Sequence, residues 1–304
     1  MTEARTNPEM LNAVIEHLRQ NYNPLRPVKQ LREAMSRRPE GIPQLDHLDV
    51  EKILVSGLTG EWVKILGQGT ADNQAILYFH GGGFAAGTCE YYRDMAARIS
   101  RASGIKVLTF EYRLAPEHSY PAANEDALKA YRWLRNQGYS ADNMVFGGDS
   151  VGATLALMTL LTLRDRNEEL PAGAFLMSPH TDLIHLDGES YITNRAADLT
   201  GSLEGNRRIA ELYMEGWGGP APEILSPLRM PLYGLPPLLV QAGSREVLLS
   251  DATRLQQRAE EAGVDVKLEI WDNMWSVFQF LAYLLPEADQ AIDNVGRFVK
   301  ERLA

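Results

Sequence analysis

The pattern of apolar and polar positions changes character near residue 75. From there to the C-terminus, short and largely apolar runs alternate with longer segments whose apolar residues recur at helical spacing. Ala75–Phe79, Ile105–Phe110, Asn143–Phe146, Ala174–Met177, Leu238–Gln241 and Val266–Ile270 read as strands. Glu90–Ala102, Pro121–Gln137, Val151–Arg164, Asp251–Ala262 and Glu287–Arg302 read as helices, with Pro121 near one start and Gly138 after the same helix's end. Apolar strands that each lead into a helix predict a mostly parallel sheet covered on both faces. Two stretches break the repeat. Residues 1–45 look helical and amphipathic, with Leu11, Val14, Ile15 and Leu18 on one side, and residues 188–217 read as a polar helical insertion. Both are expected to form a cap over the C-terminal ends of the strands. That leaves residues 46–187 and 218–304 as the two parts of the α/β core.

Composition narrows the class. A chain of 304 residues that is 45% hydrophobic can bury one large α/β core, with or without a small cap. A formal net charge of −10 argues against a nucleic-acid partner, because phosphate binding needs a clustered basic surface. The single cysteine, Cys89, cannot form an internal disulfide, which favours a reducing compartment, and its sequence neighbourhood gives the thiol no electropositive setting. Met1-Thr2-Glu3-Ala4-Arg5 lacks the apolar stretch of a signal peptide. The longest apolar run, Met274–Pro286, is broken by Ser276 and Gln279 and falls short of the ~18 residues a spanning helix needs, so it reads as core. The expected location is therefore the cytoplasm, without a membrane span. No metal or cofactor is expected: His80 and His118 lack ligand spacing, and no Gly-x-Gly-x-x-Gly follows a strand.

Chemistry enters at two places. Gly148-Asp149-Ser150-Val151-Gly152 lies between a strand and a helix, the context of a nucleophile elbow. The flanking glycines leave room for a tight turn that lifts the Ser150 hydroxyl above the sheet, and the Val151 N–H at the helix start points toward a developing oxyanion. Upstream, His80-Gly81-Gly82-Gly83-Phe84 follows the strand Ala75–Phe79. Glycines there let backbone N–H groups approach a substrate oxygen, and Gly81 and Gly82 are the expected donors. His80 is read as a brace for this loop.

These motifs resemble the hormone-sensitive-lipase-like family of α/β-hydrolases, the bacterial carboxylesterases with a His-Gly-Gly-Gly oxyanion loop. The likeness extends through Tyr112-Arg113-Leu114-Ala115-Pro116-Glu117-His118, Pro121-Ala122-Ala123 with Asp126, and Ser178-Pro179 followed by Thr181-Asp182-Leu183. It implies an α/β-hydrolase fold with a mostly parallel sheet of about eight strands, helices on both faces and a helical cap. It also implies hydrolysis of short to medium acyl esters through an acyl-Ser150 intermediate, and a homodimer is common among such relatives. Tyr191, Met214, Trp217 and Phe84 are candidates for the pocket or cap, or equally for ordinary packing.

The resemblance places the triad acid after a late strand and the histidine about thirty residues later. Glu246 falls at the acid position, ahead of Val247-Leu248; Asp251 is second choice and reads better as a residue of the helix start. At the histidine position the chain carries Ser276, within Asn273-Met274-Trp275-Ser276-Val277-Phe278. A serine hydroxyl cannot take the nucleophile's proton at neutral pH. Three accounts remain open: a working esterase whose histidine was deliberately changed, a base relocated to His180 with His185 and His118 as lesser candidates, or a small-molecule-binding protein on a hydrolase body. The last is the situation of the plant gibberellin receptors.

Overall fold

The computed structural model describes residues 5–21, 23, 25–67 and 72–304. Among these, eight strands form one sheet: β1 (Leu48–Val55), β2 (Leu58–Ile65), β3 (Ala75–Phe79), β4 (Val107–Phe110), β5 (Met144–Asp149), β6 (Gly173–Met177), β7 (Leu238–Gly243) and β8 (Val266–Trp271). Their order across the sheet is β1-β2-β4-β3-β5-β6-β7-β8. The pairings from β4 to β8 are parallel, and β2 joins antiparallel to both β1 and β4. Each strand expected from the apolar runs is present within two or three residues of its predicted ends.

The strand β1 and its hairpin partner β2 carry Asp49, Glu51, Lys52, Glu61 and Lys64 among their apolar positions. An outer, half-solvated hairpin tolerates charge, so it lacks the continuous apolar run that marks β3–β7.

The helices are α1 (Pro8–Asn21), α2 (Val28–Ala34), α3 (Cys89–Ser103), α4 (Ala122–Asn136), α5 (Val151–Asp165), α6 (Ser190–Thr193), α7 (Leu203–Tyr213), α8 (Leu249–Glu261) and α9 (Pro286–Arg302). Alternation along the buried strands sorts the core into two layers. Leu77, Phe79, Phe146 and Leu176 face α4, α5 and α8, whereas Ile76, Tyr78, Val145 and Phe175 face α3 and α9. Because both faces are covered, the central strands are buried at every position and mostly apolar, with Thr109, Asp149 and Gln241 as polar exceptions. The run Met274–Pro286 does become core in large part, but as a loop with a single short 3-10 turn at Phe278–Leu281. Cys89 is buried at the start of α3, where burial pushes its thiol up to about 12.

The N-terminal segment is tied to the sheet by polar contacts. Ile15 of α1 is buried in the layer of α3 and α9. In α2, Arg32 donates to the carbonyls of Ala85 (2.8 Å) and Ala115 (2.9 Å) and pairs with both carboxylate oxygens of Glu117. From α7, Arg208 donates to the Leu25 carbonyl at 3.2 Å. No helix of the described residues is long and apolar enough to cross a membrane.

What this architecture does for chemistry is topological. The loops leaving the C-terminal ends of β3, β5, β6, β7 and β8 carry His80–Gly83, Ser150, Ser178–His180, Glu246 and Asn273–Ser276 respectively. Parallel pairing brings those ends to one edge of the sheet.

Candidate active site

The nucleophile turn is strained. Ser150 has φ 50° and ψ −124°, between the end of β5 and the first turn of α5. A non-glycine residue at positive φ persists only where its surroundings hold it. Here the Ser150 N–H donates to the Met177 carbonyl of β6 at 2.9 Å, and the Ser150 carbonyl accepts from Thr154 N at 3.1 Å. A Cβ at Gly148 would lie 2.7 Å from the Gly152 carbonyl oxygen, and one at Gly152 would overlap the Phe79 and His80 carbonyl groups. Gly152→Ala is therefore expected to cost about 3 kcal/mol or more through overpacking against rigid backbone, measurable by urea unfolding. Ser150 itself is half-buried, and among the described residues no group accepts a hydrogen bond from its Oγ.

Beneath the glycine loop lies a carboxylate that sequence reasoning did not assign. Asp149 is fully buried; its Oδ1 accepts from Tyr78 Oη (2.8 Å) and from the Gly81 N–H (3.0 Å), and its Oδ2 lies 3.3 Å from Tyr92 Oη. Burial pushes Asp149 up to about 6, and these donors restrain the rise. The Gly81 N–H, expected from the sequence to face a substrate, thus already has an acceptor. Gly82 and Gly83, with φ of 99° and 66°, have N–H groups without an acceptor among the described residues. Val151 opens the 15-residue α5, where the first N–H groups have no intrahelical partner. His80 braces the loop: its ring stacks on Tyr112 at 4.1 Å, and Nδ1 donates to the Gly81 carbonyl at 2.7 Å.

Glu246 is fully buried after β7. Burial raises its carboxyl well above the usual range. The Ser178 and Ser276 hydroxyls stand beside it and lower it again in part, while Asp198 acts as a like charge. Among the described residues neither carboxylate oxygen has a partner at good hydrogen-bonding geometry, although the two hydroxyls and the Gly243 N–H lie close enough to favour its charged form. A buried carboxyl in that condition is rare, because the lost hydration is only partly compensated. Asp251 differs: its Oδ2 accepts from the N–H groups of Thr181 (2.7 Å) and Asp182 (3.2 Å), so it ties the β6 loop to α8.

The loop that presents Ser276 is fixed through its backbone. Val277 N donates to Ser178 Oγ at 2.9 Å, Arg245 N to the Met274 carbonyl at 2.9 Å, and Thr200 Oγ1 to the Ser276 carbonyl at 3.2 Å. Thr200 belongs to the 188–217 insertion, as does Asp198, whose Oδ2 accepts from Val247 N at 2.7 Å. The insertion therefore grips both the Glu246 loop and the Ser276 loop. Neither Ser178, with φ 47°, nor Asp198 was singled out by chemistry in the sequence, although Ser178 lies in a family motif.

His180 is engaged elsewhere. Its Nε2 is 3.3 Å from Tyr191 Oη, which accepts from Asn206 Nδ2 at 3.0 Å, and its Nδ1 is buried without a partner. Burial lowers this imidazole to about 4. Among the described residues no hydrogen bond joins it to Ser150, Glu246 or Ser276. Tyr191 and Phe84 are buried, whereas Trp217 is 43% exposed.

The eight-stranded sheet and the strained serine between strand and helix define an α/β-hydrolase, and a family model described as the α/β hydrolase fold matches residues 76–280. The chain is 38% identical over 273 residues to an acetyl-hydrolase of Streptomyces hygroscopicus, covering 90% of each. It is 35% identical to an esterase of Acinetobacter venetianus, over 88% of this chain and 87% of that one. A crystal structure of an esterase from the bacterial hormone-sensitive lipase family superposes with a TM-score of 0.90 at 38% identity, covering 98% of this chain and 100% of that one. The chain belongs to the hormone-sensitive-lipase-like family of α/β-hydrolases and is by family a carboxylic ester hydrolase.

Proposed function

We propose that this chain is a carboxylesterase for small esters of short to medium acyl chains, built to react through acyl-Ser150 but lacking the triad base, whose position Ser276 occupies. The observation that carries this reading is Glu246, buried beside Ser276 and without a well-formed hydrogen bond among the described residues. An acid in that state fits a triad from which the imidazole alone is missing. The helical segments within 1–45 and 188–217 form the cap over the strand ends, and the ester enters between cap and sheet.

In this mechanism Ser150 Oγ attacks the ester carbonyl. The oxyanion is stabilised by the N–H groups of Gly82, Gly83 and Val151, a donor set shifted by one residue from Gly81 and Gly82 because Gly81 donates to Asp149. Ser276 cannot accept the Ser150 proton, and Glu246 has no imidazolium to stabilise. Both acylation and deacylation lose general-base assistance, and the rate falls to what binding and the oxyanion hole supply, roughly 10³–10⁴ over water. The adduct, once formed, is correspondingly long-lived. Intact-mass analysis of the chain incubated with 4-nitrophenyl butyrate is expected to show slow gain of one butyryl group, mapped to Ser150. Acylation at other sites only would overturn this reading.

A base relocated to His180 receives no support from the geometry, since that ring is held by Tyr191 and hydrogen-bonds to no carboxylate among the described residues. His180→Gln is expected to change the residual ester hydrolysis by no more than about three-fold, against the roughly hundred-fold or larger loss that removing a working base brings.

A further inference from the structure

We infer that Arg32 of α2 is a positioning residue for the oxyanion hole, through which the N-terminal segment sets how fast Ser150 is acylated. The inference rests on the esterase reading above and goes beyond it by giving a residue of that segment a part in the chemical step.

The turn that offers the Gly82 and Gly83 N–H groups is strained. Gly82, Gly83 and Phe84 are successive residues at positive φ, 99°, 66° and 57°, and Phe84 lacks a glycine's freedom to adopt it. Such a turn keeps its course only while its surroundings hold it. Within the loop, the Gly82 carbonyl accepts from Ala85 N (3.1 Å) and Ala86 N (3.0 Å). From the loop after β4, Ala115 N donates to the Phe84 carbonyl at 2.8 Å, and the Phe84 ring stacks on Tyr213 at 4.0 Å. The next carbonyl, that of Ala85, is held from outside the sheet. Arg32 Nε, 53 residues upstream, donates to it at 2.8 Å. Through Nη2 the same guanidinium donates to the Ala115 carbonyl at 2.9 Å, so it clamps the turn and the segment that braces it. Glu117 fixes the guanidinium plane, accepting at 2.9 and 2.5 Å. A planar fork serves two carbonyls and a carboxylate at once, which an ammonium on a flexible stem cannot do.

Other contacts keep the N-terminal segment docked without Arg32. Thr88 Oγ1 lies 3.3 and 3.1 Å from the carbonyls of Met35 and Ser36, and Ile15 is buried in the layer of α3 and α9. Removing the guanidinium therefore releases the turn and leaves the segment in place. The Gly82 and Gly83 N–H groups then lose their fixed aim at the forming oxyanion, where preorganised donors are worth most. The loss falls on the rate at saturation rather than on ester binding.

The test is the rate at which Ser150 gains a butyryl group from 4-nitrophenyl butyrate in the unaltered chain and in Arg32→Ala, read by intact mass with peptide mapping across ester concentrations. In that step Ser150 Oγ bonds to the acyl carbon, 4-nitrophenolate leaves and the serine proton passes to solvent. Arg32→Ala is expected to lower the limiting rate by at least about ten-fold, within the roughly 10²–10³ that loss of an oxyanion donor brings, and to move the half-saturating concentration by no more than about three-fold. Millimolar methylguanidinium should restore most of that loss while leaving the unaltered chain unaffected, and methylammonium should not restore it. Arg32→Lys, which keeps a charge beside Glu117, should stay at least about three-fold slow, and it carries the test if Arg32→Ala does not fold. An unchanged limiting rate, a loss confined to the half-saturating concentration or the melting temperature, or a loss that methylguanidinium does not reverse overturns the inference while the esterase reading stands. If Ser150 of the unaltered chain gains no butyryl group, both fall.

Discussion

Placing histidine at position 276 is expected to raise kcat for a short-chain ester by about 10⁴- to 10⁶-fold, the range by which serine hydrolases fall when the triad base is lost. Little else of the catalytic machinery is missing. The Ser150 turn is held in its strained conformation by Met177 and Thr154, and the N–H groups of Gly82, Gly83 and Val151 have no acceptor among the described residues. The loop at 276 is anchored on both sides, and Glu246 stands beside it without a well-formed hydrogen bond among the described residues. KM should move far less than kcat, since the base acts in the transition state rather than in substrate binding. The restored enzyme should gain a rising limb of activity with pH as its new imidazole loses its proton.

Glu246→Gln is expected to have opposite consequences in two backgrounds. With Ser276 in place, an uncompensated buried carboxyl is a burden, and its replacement should stabilise the fold by about 1–3 kcal/mol, visible as a higher melting temperature near neutral pH. With histidine at 276, the same change should lower kcat by about 10²- to 10⁴-fold, because the acid then orients and stabilises an imidazolium. The pH dependence has a definite sign. Burial raises the folded-state pKa of Glu246 above its unfolded value, so the folded protein binds that proton more tightly. Stability from this group is fully present below the unfolded carboxyl pKa and is lost as pH rises through the raised value. Asp149 and Asp251, pushed up to about 6 and about 7, act in the same direction. His80 and His180, both lowered to about 4, act oppositely and weaken the fold as pH falls below the ordinary imidazole value. The difference in melting temperature between the unaltered chain and Glu246→Gln isolates the glutamate: it should widen as pH rises from about 4 toward 8.

Much of this was legible in the sequence, for identifiable reasons. Strands buried on both faces read as near-continuous apolar runs, so β3 to β7 declare themselves. Gly148 and Gly152 mark a turn that backbone crowding imposes locally. What the chain hides is tertiary. The outer hairpin of β1 and β2 carries charges that a half-solvated edge permits, so it offers no clean period. Gly81 and Gly82 are indistinguishable as letters; only the position of Asp149, 68 residues later in the chain, decides which N–H is occupied. The hold of Asp198 and Thr200 on the Glu246 and Ser276 loops spans about 50 and 76 residues, with no motif to announce it. The engagement of His180 with Tyr191 and Asn206 likewise depends on where the insertion folds back.

The most direct measurement is the steady-state rate of 4-nitrophenol release from a short-chain ester by three proteins at equal concentration: the unaltered chain, Ser276→His, and Ser276→His combined with Ser150→Ala. The first is expected to be nearly inactive, the second to exceed it by several orders of magnitude, and the third to return to the level of the first. Equal rates for the first two proteins would contradict this expectation: at a high level another group serves as base, and at background the body does not act on esters.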